Sequence, residues 1–102
     1  MKRLTTPKLT FELPSTLIKE NIQLLSVTFL QNKKILFVKY KNDFAWENNN
    51  TISIKFSQKD TKKFLPGILQ MEIHVVTTGG DSLISEPISC SVKDVLNDEV
   101  LE

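Results

Sequence analysis

The sequence predicts an all-β fold, an antiparallel two-sheet sandwich of immunoglobulin-like character with one short helical crossover near residues 58–64. Three observations carry that expectation. Alanine, the best helix former, occurs once in 102 residues, against nine Ile, seven Val and nine Thr, whose branched side chains suit pleated strands. Apolar residues recur at every second position through much of the chain. Turn residues punctuate it at intervals of roughly 8–12, with no helices alternating between strands. A partly open barrel shares these signs and is the competing architecture.

The first strand is read at Leu9, Phe11 and Leu13, with Thr10 and Glu12 facing away and Pro14 closing it. Ser15 to Asn21 reads as a loop or single helical turn around Leu17 and Ile18. Ile22–Gln31 is a longer strand with Leu25, Val27 and Phe29 on one face. Asn32-Lys33-Lys34 turns it into Ile35–Lys41, where Leu36, Val38 and Tyr40 alternate with Ile35, Phe37, Lys39 and Lys41. Both of those faces mix apolar and polar groups, so this run alone does not say which is buried. Asn42-Asp43 breaks it. Phe44-Ala45-Trp46 reads as a short extension before the Asn48-Asn49-Asn50 turn.

Thr51–Phe56 alternates cleanly, Ile52, Ile54 and Phe56 against Thr51, Ser53 and Lys55. Ser57 then stands as a helix N-cap with Asp60 three residues on, an Asp version of the capping box. Phe64 would tuck that turn of helix onto the core, and Pro66-Gly67 ends it. Ile68–Thr77 points Leu69, Met71, Ile73 and Val75 inward, and Gln70, Glu72, His74 and Val76 outward. Thr78-Gly79-Gly80-Asp81 is a hairpin turn. The return, Ser82–Val92, places Ile88, Cys90 and Val92 inward, with Pro87 marking an edge, a bulge or a break.

The composition places the chain as one domain, residues 1–102, with an extended N-terminus at 1–8 and an acidic, apolar tail at 93–102. The tail sets Val95, Leu96, Val100 and Leu101 among Asp94, Asp98 and Glu99, and either packs on its own domain or docks on a neighbour. No apolar run reaches the roughly 18–20 residues that span a bilayer. Leu4 to Lys8 lacks the apolar stretch of a secretion signal, so none is expected. A lone Cys90 makes neither an internal disulfide nor a cysteine metal cluster, which suits a reducing compartment.

Catalytic constellations are missing from the sequence, and the expectation is a non-enzyme without cofactor or metal. His74 reads as an exposed sheet histidine; Glu72 beside it supplies only a second ligand. No G-x-S-x-G-like segment presents a nucleophile. Cys90 reads as a small buried apolar residue. Thr78-Gly79-Gly80-Asp81 lacks the Lys, the length and the following helix of a phosphate loop.

The candidate partner-binding residues are Lys33, Lys34, Phe37, Lys39 and Tyr40 of the basic hairpin, with Trp46 as an anchor or, equally, plain core. Basic and aromatic groups together also suit single-stranded nucleic acid, the alternative function. The near balance of 13 Lys+Arg against 12 Asp+Glu argues against it. The charge is uneven: residues 1–51 carry eight basic and four acidic groups, and residues 52–102 carry five and eight. That asymmetry fits head-to-tail packing of copies as well as it fits polyanion binding.

Several segments carry a family resemblance: Arg3-Leu4-Thr5-Thr6-Pro7, Phe29-Leu30-Gln31-Asn32, Phe56 through Gly67, Gln70-Met71-Glu72-Ile73, Gly80-Asp81, and Val92 to Val100. Together they resemble small proteins of about 100 residues encoded by phages and prophages of Firmicutes. The stretch Ser57-Gln58-Lys59-Asp60-Thr61-Lys62-Lys63-Phe64-Leu65-Pro66-Gly67 is also similar to the N-terminal β-sandwich of phage baseplate upper proteins. Those proteins continue into stalk and tip regions where this sequence stops. The resemblance therefore implies a tail or baseplate adaptor or accessory protein, located in the virion or in the host cytoplasm during assembly. Its implied partners are other virion proteins or further copies of itself, not membranes.

Overall fold

A computed structural model describes residues 1, 2 and 5–93. The tail expected at 93–102 lies, beyond Lys93, outside the described residues. The chain is an all-β, antiparallel, two-sheet sandwich of immunoglobulin-like character with one short helix. In chain order its elements are β1 (Lys8–Glu12), β2 (Ile22–Gln31), β3 (Lys34–Tyr40), β4 (Ala45–Trp46), β5 (Thr51–Lys55), α1 (Gln58–Lys62), β6 (Gly67–Thr77), β7 (Ser82–Ile84) and β8 (Ile88–Val92). Single 3₁₀ turns at Lys19–Asn21 and Lys41–Asp43 fill the loops.

The smaller sheet has the order β1-β5-β4, with Leu9 opposite Ile54 and Phe11 opposite Ile52. In the larger sheet the order is β3-β2-β6-β7, and β8 continues β7 along the same edge of β6. Ile84 faces His74 and Ile88 faces Met71, so three residues, Ser85 to Pro87, stand against two. Of the three readings open for Pro87, the strand break is the one realised: a ring without an N–H cannot carry the ladder onward. Ser85 repairs the gap, its N–H donating to the Ile73 carbonyl at 2.8 Å and its Oγ accepting from the Ile73 N–H at 3.0 Å.

The β2–β3 hairpin closes in two residues, Gln31 facing Lys34 across Asn32 (φ 52°) and Lys33 (φ 63°). Two positive φ values make the turn that matches strand twist. Asn tolerates that region; Lys does so at a steric cost.

The expected cap of α1 is present in both directions. Asp60 N–H donates to Ser57 Oγ at 3.1 Å, and Ser57 N–H to Asp60 Oδ2 at 3.3 Å. Thr61, fully buried, donates its hydroxyl to the Thr5 carbonyl at 2.9 Å and holds the N-terminal segment against the helix.

The core fills the space between the sheets, and one end of it is aromatic. Phe29 stacks on Phe37 at 5.1 Å, Phe37 on Phe64 at 5.5 Å, and Phe56 meets Phe29 edge-on at 5.2 Å. This settles the face left open on β3: Phe37 and Lys39 turn inward, Val38 and Tyr40 outward. Gln31 is buried at the end of β2, where its Nε2 donates to the Leu65 carbonyl at 2.6 Å and its Oε1 accepts from the Leu65 N–H at 2.7 Å. One side chain thereby satisfies both backbone polar groups of Leu65 in the crossover.

Two stability changes follow. Gln31→Leu leaves the Leu65 amide and carbonyl without these partners and is expected to cost about 2–3 kcal/mol in urea unfolding. Lys33→Gly relieves the positive φ and is expected to add roughly 0.5–1 kcal/mol in the same titration.

Candidate interaction surface

The six residues expected at a partner interface are divided among four places. Lys33 and Lys34 are exposed at the hairpin tip. Phe37 joins the aromatic end of the core. Lys39 is half-buried, its ammonium 5.3 Å from the Phe37 ring centre and 3.5 Å from Asp60 Oδ2. Tyr40 is 61% exposed and points outward. Trp46 sits opposite Ile52 on β4, half-buried against the core. Period-two geometry separates Phe37 and Lys39 from Tyr40, and the sandwich carries Trp46 to the other sheet.

Tyr40 instead joins a set of residues on the outer face of the larger sheet. One row across four strands reads Tyr40, Ser26, His74, Ile84, and the next reads Leu24, Val76, Ser82. Leu24, Tyr40 and Ile84 are each about 60% exposed, large apolar groups on a face that also carries Ser26, His74 and Ser82. Leu24 owes its place to a bulge at Gln23, because Ile22 faces Thr77 while Leu24 already faces Val76. Between these residues lies an open hollow of about 390 Å³, bounded by Leu24, Tyr40, Val76 and His74, with Lys41 at its rim. The Lys41 ammonium is held there by the Ile22 carbonyl at 2.8 Å.

His74 Nε2 lies 2.7 Å from Ser82 Oγ, a cross-strand hydrogen bond that ties β7 to β6. Ser82 stands on an ordinary strand, not on a strained elbow, and Glu72 belongs to the adjoining row, opposite Thr28. Among the described residues no group of three or more His, Cys, Asp or Glu could hold a metal. What this surface offers is apolar contact area with a few hydrogen-bonding groups. Leu24 was legible as the outward neighbour of Leu25; the two adjoining rows that set it on one face with Tyr40 and Ile84 were not, since they need the register of three pairings.

A second apolar feature runs along the open side of the sandwich. The smaller sheet is too narrow to cover β7 and β8, so Leu83 and Ile88 stay exposed beside Leu13 and Leu17 in a groove of about 360 Å³. Cys90, expected as buried, is half-buried on this side for the same reason. Its partial burial still pushes the thiol up, against the opposing pull of the N-terminal ammonium, and keeps it protonated near neutrality.

No family model matches the sequence, and no curated relative matches it. The V domain of amphioxus IgVJ-C2 is a similar solved structure. The two chains share 11% identity over 89% of this chain and 95% of that one, with a TM-score of 0.35. So loose a superposition adds nothing to the fold, which stands on the strand pairing itself. No described helix is long and apolar enough to cross a membrane.

On the opposite sheet, Glu47 closes the β4–β5 turn by accepting from Lys8 Nζ at 2.8 Å and Ser53 Oγ at 2.6 Å. These hydrogen bonds, Lys8 foremost, hold its carboxyl below the usual carboxylate range. Its contribution is therefore complete above the unfolded-state pKa and fades as pH falls through the lower folded value. Glu47→Gln is expected to narrow the loss of melting temperature on acidification from pH 7 to pH 3; an identical acid profile in both proteins contradicts this.

Proposed function

We propose that this chain is a non-catalytic interaction module of a phage or prophage virion, an adaptor or accessory protein of the tail or baseplate. The observation that carries the interaction role is the outer face of the larger sheet, where Leu24, Tyr40 and Ile84 stand exposed across strands β2, β3 and β7. Exposed apolar groups gathered on one sheet face, in place of single scattered residues, are the signature of a contact surface. Tyr in such a setting supplies large contact area at small entropic cost. The virion setting is supported by the sequence resemblance set out above.

The nucleic-acid reading loses much of its support. Stacking of bases requires aromatic faces open to solvent. Phe37, the aromatic residue nearest the lysines of the hairpin, has its ring between Phe29 and Phe64. Tyr40 remains, on the other face of the strand.

Mass spectrometry of purified particles from an induced lysogen encoding the chain tests the reading. The expected result is the chain at a copy number in simple ratio to the tail proteins, and its loss on Leu24→Ser with Tyr40→Ala. That double variant is expected to melt within a few degrees of the wild type, since neither side chain is buried. A chain absent from particles, binding single-stranded DNA with an affinity that falls steeply with salt, supports the alternative instead.

A further inference from the structure

We infer that an extended segment of another protein adds as a fourth strand beside β1 and fills the open side of the sandwich. This goes beyond the outer-face contact proposed above and uses a different surface. Two observations meet there. The first is apolar. The groove beside Leu13 and Leu83 continues into a second hollow of about 320 Å³ between Leu9 and Phe11 of β1 and Cys90 of β8, with Ile88 common to both.

The second is an unpaired backbone edge. β1 ends its sheet and pairs with β5 alone. The Phe56 N–H donates to the Pro7 carbonyl and the Leu13 N–H to the Asn50 carbonyl, so the odd-numbered residues of β1 face β5. By alternation Lys8, Thr10 and Glu12 turn their N–H and C=O groups the other way. Among the described residues no backbone group pairs with that side. A strand edge that flanks an open apolar groove is a template for one more strand.

Geometry fixes the form of the occupant. The larger sheet is one column of strands wider than the smaller, so β7 and β8 extend about one strand spacing, ~4.8 Å, past β1 at a layer separation of about 10 Å. That overhang shelters a single strand. A second copy cannot supply it edge to edge. Antiparallel pairing of β1 with itself would put β6 of one copy and the β7–β8 column of the other in the same layer. A segment with no second layer of its own fits.

Alternation then fixes the chemistry. Every second side chain of a strand beside β1 turns into the groove, toward Cys90, Ile88 and Leu83 in turn, and must be apolar. The side chains between them join the outward row of Lys8, Thr10 and Glu12. Lys8 is held by Glu47 at 2.8 Å, whereas Glu12 is exposed and has no ion pair among the described residues, which favours a basic residue next to it. The occupant is thus a stretch of about five to seven residues, apolar on one face and basic on the other.

Titration of the full-length chain with synthetic heptapeptides, acetylated and amidated, tests the inference. The probe has valine at its odd positions and threonine, lysine and threonine between them; the control has the same residues with the valines consecutive. The probe is expected to bind and to slow both hydrogen exchange at the Thr10 and Glu12 amides and alkylation of Cys90. The control is expected to bind about tenfold more weakly or worse. Thr10→Pro removes an edge N–H where proline is tolerated, and Ile88→Lys puts a charge into the groove at a side chain already 39% exposed. Each is expected to weaken the probe about tenfold with little change in melting. Leu24→Ser with Tyr40→Ala, which alters only the outer face, is expected to leave the probe's affinity unchanged, so this inference and the proposed function can fail separately. No binding of the probe at about 1 mM overturns the inference. So does a control that binds as well, a probe that binds as tightly with glutamate for lysine, or Thr10 and Glu12 amides already protected in the chain alone.

Discussion

The structure depends on the contact of four phenylalanines at one end of the sandwich. Phe29 and Phe37 come from the larger sheet, Phe56 from the end of β5 in the smaller one, and Phe64 from the crossover after α1. Both sheets and their connection thus converge on one set of rings. Phe29, Phe56 and Phe64 have almost no exposed surface. Edge-to-face and offset contacts satisfy the ring quadrupoles at each crossing, and each buried ring removes a large apolar area from water. α1 has only five residues and no stability of its own, so its position follows from this packing, from the Ser57 cap and from the Gln31 clamp on Leu65.

The unequal widths of the two sheets explain where the exposed apolar surface lies. Three strands cover the middle of the larger sheet and leave its β7–β8 column overhanging, which exposes Leu83 and Ile88 from the inner face. Among the described residues no second layer covers the outer face, and there Leu24, Tyr40 and Ile84 stand exposed. Edge protection is equally uneven. Pro87 and the local break guard one side, while a bulge near Leu36 and a set of lysines guard the other.

Much of the fold was legible in local sequence. The alternation in β5 and β6, the two hairpin turns, the Ser57–Asp60 cap and the interruption at Pro87 each follow from chemistry within a few residues. The candidate site was less legible. Its six expected residues were grouped by nearness in sequence, and strand geometry then divided them, sending Phe37 to the core, Tyr40 outward and Trp46 to the other sheet. Gln31 looked like a polar strand end, because nothing near it in sequence announces Leu65 as its partner.

Strand identity, turn placement and helix capping were determined by the sequence alone, since they rest on backbone preferences and side-chain spacing that act over one turn or one pleat. Tertiary structure decided which face of β3 is buried, how far Cys90 and Ile88 are covered, and which outward residues meet. Each of those outcomes depends on what stands opposite across a sheet or between sheets, and a strand with apolar groups on both faces holds no local record of its neighbour.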